Sequence, residues 1–191
     1  MSVLERNYNM FRNFALGLLM AVSIISWGQP GSKFPALEGE MLDGSSRTLP
    51  SYISGKLSIV GMAYSEKSED ALRTWYSPMY DKFVLKRGIF DGTYDVHLVF
   101  VPMYIGLKQV AYASTLKQLK ESNRKDLYPY ILFYKGELEP YGTSLSMEDK
   151  NLPYFFVLDP EGRILDKITG IFTESKMERI EKALDDFMEK R

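Results

Sequence analysis

The chain of 191 residues contains no cysteine and only one histidine, His97. The absence of cysteine excludes disulfide bonds, catalysis by a thiol and metal ligation by a thiolate. A single histidine also argues against a zinc site, because such sites mostly use several His or Cys ligands. We therefore expect neither thiol redox chemistry nor a bound metal, and no motif in the sequence requires a cofactor.

The chain also lacks an excess of charge of either sign. Its formal net charge is -1 at pH 7, from 24 Lys and Arg residues against 25 Asp and Glu residues. Nucleic-acid-binding proteins usually present a broad basic surface, so we do not expect nucleic acid as a partner. With 45% hydrophobic and 14% aromatic residues, the chain can bury one core, and its length favours a single domain.

The first 28 residues have the composition of a targeting signal. Arg6 and Arg12 precede an apolar run of 14 residues, which is shorter than the roughly 20 residues that a membrane-spanning helix needs. We predict that residues 1–28 are a signal peptide, cleaved near Gln29, and that residues 29–191 form one domain exported to the periplasm or cell envelope. The alternative is that the segment is retained as an N-terminal anchor.

Apolar runs alternate with turn-forming residues along the rest of the chain. Short apolar pieces between Phe34 and Leu49 are divided by an Asp-Gly-Ser-Ser cluster, which predicts an N-terminal hairpin. The run from Leu57 to Ala63 is apolar without alternation, as is typical of a central strand covered on both faces. From Glu66 the spacing becomes helical, and Pro78 is expected to divide this helix into two pieces.

The second half of the chain continues the alternation of strand and helix. We predict a strand over Val96 to Met103 and a helix from Ile105 to Asn123, which includes Leu107 and Val110 at helical spacing. A hairpin follows, with strands Tyr154 to Leu158 and Ile164 to Ile168 around the turn Asp159 to Gly162. A final helix is predicted from near Thr173. This order indicates an α/β fold.

The order of elements resembles the thioredoxin-like fold over most of Phe34 to Phe187. That resemblance implies a three-layer sandwich in which a central mixed β-sheet is flanked by helices, with an N-terminal hairpin and an insertion before a cis-proline loop. Leu152-Pro153-Tyr154 stand at the position of that loop. Ser65-Glu66-Lys67-Ser68 stand where the redox members of the fold carry Cys-x-x-Cys.

Within this fold, the chain is similar to the mitochondrial ATP-synthase assembly-factor family and its bacterial relatives. The similarity rests on Phe34-Pro35, the run from Gly55 to Val60, Trp75 with Pro78, and the stretch from Tyr134 to Gly170. It implies a role in assembling a membrane complex, with membrane proximity arising through the complex served. Exported thiol-disulfide and peroxide-reducing proteins share the turn around Asp159 and remain alternatives for ancestry.

At the position of Ser65, the chain lacks the thiol that redox chemistry requires. A redox enzyme needs a thiolate at the start of a helix and a second thiol to resolve the mixed disulfide, and a serine hydroxyl supplies neither. The simplest role of Ser65 is to cap the helix, with Glu66 beside the positive helix end. The aromatic stretch from Tyr128 to Tyr141, which has the character of an insertion, is expected to pack on the core, with an interface as the alternative.

Two classes of function remain. The first is a non-redox protein that binds a protein or peptide partner through the helix start and the Pro153 loop, with these candidate contact residues: Tyr64, Ser65, Glu66, Lys67, Ser68, Leu152, Pro153 and Tyr154. A cis proline would expose backbone for an extended peptide, whereas in the simpler alternative Pro153 only shapes the start of the strand. The second class is an enzyme that uses Glu66, Glu69 and Asp70 as acid or base, which requires their partial burial.

Overall fold

The computed structural model describes residues 30–87, 94–121 and 125–190. The predicted signal peptide over residues 1–28 and the cleavage position near Gln29 lie outside these ranges. Among the helices in the described ranges, none has both the length and the apolar character needed to cross a membrane.

The strands form one mixed sheet. They are β1 (Leu37–Met41), β2 (Ser46–Leu49), β3 (Leu57–Ala63), β4 (Val96–Ile105), β5 (Leu132–Gly136), β6 (Tyr154–Leu158) and β7 (Ile164–Thr169). Their order across the sheet is β2-β1-β5-β4-β3-β6-β7. Strands β3, β4 and β5 are parallel to one another, and the remaining pairs are antiparallel. The predicted N-terminal hairpin is confirmed as β1 and β2.

The helices follow the strands in the predicted order. They are α1 (Glu66–Arg73), α2 (Tyr76–Met79), α3 (Tyr112–Glu121), α4 (Glu139–Gly142) and α5 (Glu174–Met188). Short 3₁₀ segments cover Ser51–Ile53, Gly106–Ala111 and Lys125–Tyr130, and a π-helical turn covers Tyr80–Val84. The helix that begins at Glu66 is divided into two pieces as predicted, but the break lies at Thr74–Trp75 and Pro78 lies inside α2. Pro78 has no N–H to donate to the Thr74 carbonyl, so the helical bonding is interrupted one turn before the proline.

Strand β3 lies at the centre of the core, and all seven of its residues are buried. On one face, Ile59 packs in a cluster with Leu72 of α1, Met79 of α2 and Ile180 of α5. The other face is covered by α4 with the segments around Phe34 and residues 145–147. Burial on both faces explains why the sequence of this strand is apolar without alternation.

Trp75 fixes the junction of α1 and α2 against the sheet. Its side chain is fully buried, and its ring centroid lies 4.3 Å from that of Phe155 in β6. The indole N–H donates a hydrogen bond to the carbonyl of Gly170, just beyond β7, at 2.9 Å. The end of α1 is therefore held in a defined place relative to the end of the β6–β7 hairpin.

The segment after β4 differs from the predicted continuous helix. Residues Gly106–Ala111 form a 3₁₀ segment, and Leu107 and Val110 are 94% and 87% exposed. The physical reason is that Lys108 and Gln109 are tied to the body of the protein by their polar groups, so the apolar neighbours face solvent. The regular helix α3 begins only at Tyr112.

The expectation of a cis proline at position 153 is wrong. The peptide bond before Pro153 is trans, and the cis bond in the described residues is Leu49–Pro50. The carbonyl of Pro153 accepts a hydrogen bond from the Gly170 N–H at 3.0 Å, which continues the β6–β7 pairing by one residue. The trans isomer is also the one of lower energy for most X–Pro bonds.

The aromatic stretch expected as an insertion contributes a strand to the sheet. Its residues Leu132–Gly136 are β5, which lies between β1 and β4. The chain then crosses through α4 to reach Pro153. Phe133, Tyr134 and Tyr141 are buried, which confirms that these aromatic side chains pack on the core.

Candidate functional site

The candidate residues meet at one end of the sheet. Residues 64–68 follow β3 directly, and residues 152–154 lead into β6. Because β3 and β6 are antiparallel and Met62 pairs with Tyr154, the end of one strand lies beside the start of the other. Strand β4 runs parallel to β3, so its carboxyl end reaches the same side. We refer to this side of the molecule as the site end.

Ser65 and Ser68 cap α1 reciprocally. Ser65 has extended backbone, and its Oγ accepts a hydrogen bond from the Ser68 N–H at 3.1 Å. The Ser68 Oγ accepts from the Ser65 N–H at 2.9 Å, and the two hydroxyl oxygens are 3.1 Å apart. Both serines therefore satisfy backbone groups that a helix start leaves without intrahelical partners. The prediction that Ser65 is the N-cap is confirmed.

A loop from Met147 to Leu152, which we call the crossing loop, lies over this helix start. The Ser65 hydroxyl donates a hydrogen bond to the carbonyl of Lys150 at 2.5 Å. The Tyr64 hydroxyl donates to the carbonyl of Met147 at 2.9 Å. Two consecutive residues after β3 thus bind backbone carbonyls of the loop, and the loop occupies part of the space above α1.

Tyr154 holds the same loop from the side of β6. Its hydroxyl accepts a hydrogen bond from the Asp149 N–H at 2.7 Å and donates to the Asp149 carbonyl at 3.1 Å. Burial, together with the neighbouring Tyr154 and Asp149, raises the pKa of Tyr64 to about 12. Burial also raises the pKa of Tyr154. Both phenols therefore remain protonated donors at neutral pH.

The eight candidate residues divide by exposure. Tyr64, Ser68, Pro153 and Tyr154 are buried, Ser65 and Leu152 are partly exposed, and Glu66 and Lys67 are exposed. The buried members position the helix start and the crossing loop. Direct contact with a partner would fall to the other four residues.

The carboxylates of the helix start do not form a group suited to acid or base catalysis. Glu66 and Asp70 are exposed, and Asp70 pairs with Arg73 at 2.9 Å. The Glu69 side chain is only 13% exposed, but its carboxylate forms an ion pair with Lys108. Among the residues that the structure describes, no group of three or more His, Asp or Glu side chains is arranged to hold a metal ion.

Sequence reasoning missed Leu107 and Val110 as surface residues at the site end. Their helical spacing suggested a regular amphipathic helix. The signal that could have revealed them is the pair of polar residues between them, Lys108 and Gln109, in a segment that begins with glycine.

No protein-family model and no curated protein sequence matches the chain. Solved structures do match it. BsSco, a member of the Sco family of cytochrome c oxidase assembly proteins, aligns with a TM-score of 0.52 and 13% identity over 82% of this chain and 95% of its own. A thiol peroxidase from Chromobacterium violaceum aligns with a TM-score of 0.52 and 11% identity over 84% and 90% of the two chains.

Copper-bound ScoI from Arabidopsis thaliana aligns with a TM-score of 0.50 and 14% identity, over 81% of this chain and 99% of that one. Together with the sheet order, these matches decide the architecture. The chain adopts the thioredoxin-like fold. At these identities the likeness establishes the fold alone. Ser65 and Ser68 follow the central strand β3, at the position where the resemblance of the sequence implies that redox members carry two cysteines.

Proposed function

We propose that this chain is a non-redox thioredoxin-like protein that binds a partner polypeptide at the site end. The observation that carries the proposal is the Ser65–Ser68 pair, whose hydroxyl oxygens lie 3.1 Å apart at the start of α1. The pair has the position and spacing of a redox dithiol, but hydroxyl groups cannot form a disulfide. What the helix start offers to another protein is therefore a contact surface.

The side chains available for that contact are Ser65, Glu66, Lys67 and Leu152, which are exposed or partly exposed. The crossing loop uses its own carbonyls to satisfy the Tyr64 and Ser65 hydroxyls. Binding therefore proceeds through these side chains around the loop, and the buried candidate residues keep the surface in place.

We further propose that the partner belongs to a membrane or envelope complex that this protein helps to assemble. The resemblance of the sequence to mitochondrial ATP-synthase assembly factors supports this role. The structural likeness to BsSco, a member of a family of cytochrome c oxidase assembly proteins, is compatible with it. Proximity to the membrane would then come from the complex that is served.

Export is part of the same proposal. Residues 1–28 would direct the chain to the cell envelope and be removed near Gln29, leaving residues 29–191 as the mature domain. N-terminal sequencing of the protein isolated from cells tests this directly. A mature chain that begins near Gln29 supports cleavage, and a chain that keeps Arg6 and Arg12 supports the alternative of a retained anchor.

Crosslinking in the native envelope tests partner binding. We expect the wild-type protein to crosslink to a defined complex, and a Glu66→Arg, Leu152→Arg variant to lose that product, because both changes alter exposed parts of the surface. A Ser54→Arg, Glu161→Arg variant is the matched control, since it adds the same charge on two exposed residues at the other end of the sheet. Equal crosslinking by both variants would contradict binding at the site end.

A further inference from the structure

The 3₁₀ segment Gly106–Ala111 reverses the usual orientation of polar and apolar side chains. Leu107 and Val110 are 94% and 87% exposed, whereas the Lys108 side chain between them is 22% exposed. Single exposed apolar residues are common on protein surfaces and require no explanation. Two of them in one short turn, with the intervening polar groups directed into the protein, form an apolar projection.

Several bonds hold this projection in place. Lys108 forms an ion pair with Glu69 of α1, and its Nζ lies 4.8 Å from the centroid of the Tyr104 ring. The Gln109 side chain donates a hydrogen bond to the carbonyl of Gly136, at the end of β5, at 2.9 Å. The segment is therefore attached to α1, β4 and β5, so Leu107 and Val110 have a defined orientation. Such preorganisation lowers the entropy cost of binding.

The projection lies beside the proposed contact surface. Strands β3 and β4 are parallel neighbours, so Gly106 leaves β4 at the same end of the sheet where Ser65 leaves β3. Ile171, which is 57% exposed, follows β7 at this end. Because β3 and β6 lie between β4 and β7, the apolar side chains flank the helix start across three strand spacings, or about 14 Å.

The charges around this surface are predominantly acidic. The exposed carboxylates at the site end are Glu66, Glu137, Glu139, Glu148, Asp149 and Glu174. The exposed lysines there are Lys67, Lys135 and Lys150, and the partly exposed Lys176 donates a hydrogen bond to the carbonyl of Ile171 at 2.9 Å. These six carboxylates outnumber the four lysines, so the surface around the exposed apolar side chains carries a net negative charge.

We propose that Leu107, Val110 and Ile171, with the acidic groups around them, form a docking surface for a basic amphipathic segment of the partner protein. The inference rests on the proposed function and names the chemistry of the partner. The apolar side chains of the segment would cover Leu107 and Val110, and its Lys and Arg residues would pair with the surrounding carboxylates. Complementary charges also accelerate association and make it sensitive to salt.

Binding of synthetic peptides to the full-length protein tests the docking surface. The probe is an 18-residue helical peptide with leucine on one face and lysine on the other, labelled for fluorescence anisotropy, and the comparison peptide has glutamate in place of lysine. We expect the basic peptide to bind at low salt. A Leu107→Ser, Val110→Ser variant should bind it roughly tenfold more weakly or worse, because the peptide would no longer bury two aliphatic side chains.

The matched control is a Leu85→Ser, Met188→Ser variant, which removes two other exposed apolar side chains, 42% and 38% exposed, away from the site end. We expect this variant to bind like wild type. Thermal unfolding of both variants shows whether they fold. The proposal is overturned if the acidic peptide binds as well as the basic one, or if the two variants weaken binding equally.

Other occupants of the surface are separate outcomes of the same assay. A synthetic peptide of residues 1–28 and vesicles containing anionic lipid are tested in parallel with the leucine–lysine peptide. If either binds wild type more tightly than that peptide does, and binds the Leu107→Ser, Val110→Ser variant more weakly, the surface serves the N-terminal segment or a membrane. The proposal is then wrong.

The envelope crosslinking experiment separates this inference from the proposed function. If Glu66→Arg, Leu152→Arg abolishes the crosslink while Leu107→Ser, Val110→Ser leaves it intact, the proposed function stands and the docking surface is wrong. If the wild-type protein crosslinks to no protein, the proposed function fails. The crosslinked peptide of the partner must also be rich in Lys or Arg, and an acidic peptide would overturn the inference.

Discussion

Replacing Ser65 and Ser68 by cysteine is expected to create a reversible disulfide at the start of α1. The two Oγ atoms are 3.1 Å apart. Carbon–sulfur bonds are longer than carbon–oxygen bonds, so two sulfur atoms in the same rotamers can approach the roughly 2.05 Å of a disulfide bond. The helix start also stabilises a thiolate and lowers the pKa of a cysteine there below about 8.5. Position 65 is partly exposed and position 68 is buried, which favours the first as the attacking thiol.

The size of the effect follows from the loop that the disulfide closes. Cross-linking a loop of about four residues removes unfolded-state entropy worth about 2 kcal/mol in the chain-entropy account. For a domain of about 150 to 250 residues, each 1 kcal/mol changes the Tm by roughly 2–4 °C, so the oxidised variant should melt roughly 4–8 °C above the reduced one. The reduced variant should be less stable than wild type by about 1 kcal/mol, because the serine capping bonds are lost.

Thiol titration and mass spectrometry after equilibration in glutathione buffers measure whether the disulfide forms, and thermal unfolding with and without reductant measures its effect. The Ser65→Cys single variant is the control, since its partly exposed thiol can form only a mixed disulfide with glutathione. The reasoning is refuted if the double variant keeps two thiols under conditions where the single variant becomes glutathionylated. That result would mean that the helix start does not hold the two side chains in dithiol geometry.

Two further predictions concern stability. Burial raises the pKa of Tyr64 and that of Tyr141 from 10.0 to about 12, so between these pH values the folded state keeps protons that the unfolded state releases. The free energy of unfolding should therefore be unchanged below pH 10 and fall between pH 10 and about 12. In Tyr64→Phe, the fall measured by denaturant unfolding should be shallower. An equally steep fall in that variant would contradict the assignment. Gly61→Ala should destabilise the domain by about 1–3 kcal/mol. The added Cβ would lie 2.6 Å from Cε1 of Phe155, whereas the control Gly142→Ala, whose Cβ would first meet Leu138 at 3.5 Å, should be tolerated in the same thermal unfolding assay.

The parts of the fold that depend on local patterns were predictable from the sequence. The apolar run of β3 and the Asp-Gly-Ser-Ser turn of the first hairpin are short-range signals. The turn after β6 is another: the Asp159 carboxylate accepts hydrogen bonds from the Glu161 and Arg163 N–H groups at 2.9 and 2.7 Å. A residue that bonds to backbone two and four positions away forms the same turn wherever the segment lies in the fold.

The candidate site was predictable in part. Ser65 is the helix cap that the sequence predicts, because capping requires only the residues of the first helical turn. The crossing loop was not predictable, since its attachment to Tyr64 is a contact between residues 83 positions apart. Because the loop covers Tyr64 and Tyr154, these two candidate contact residues are buried and hold the loop in place.

The sequence by itself determined which chemistry is absent, the alternation of strands and helices, and the serine pair at the start of α1. The tertiary structure decided the exposure of Leu107 and Val110 and the position of β5 inside the sheet. Both depend on partners distant in the chain: Glu69 and Gly136 for the 3₁₀ segment, and β1 and β4 for β5. Local periodicity records which residues are apolar, but only the packed chain determines which of them its neighbours cover.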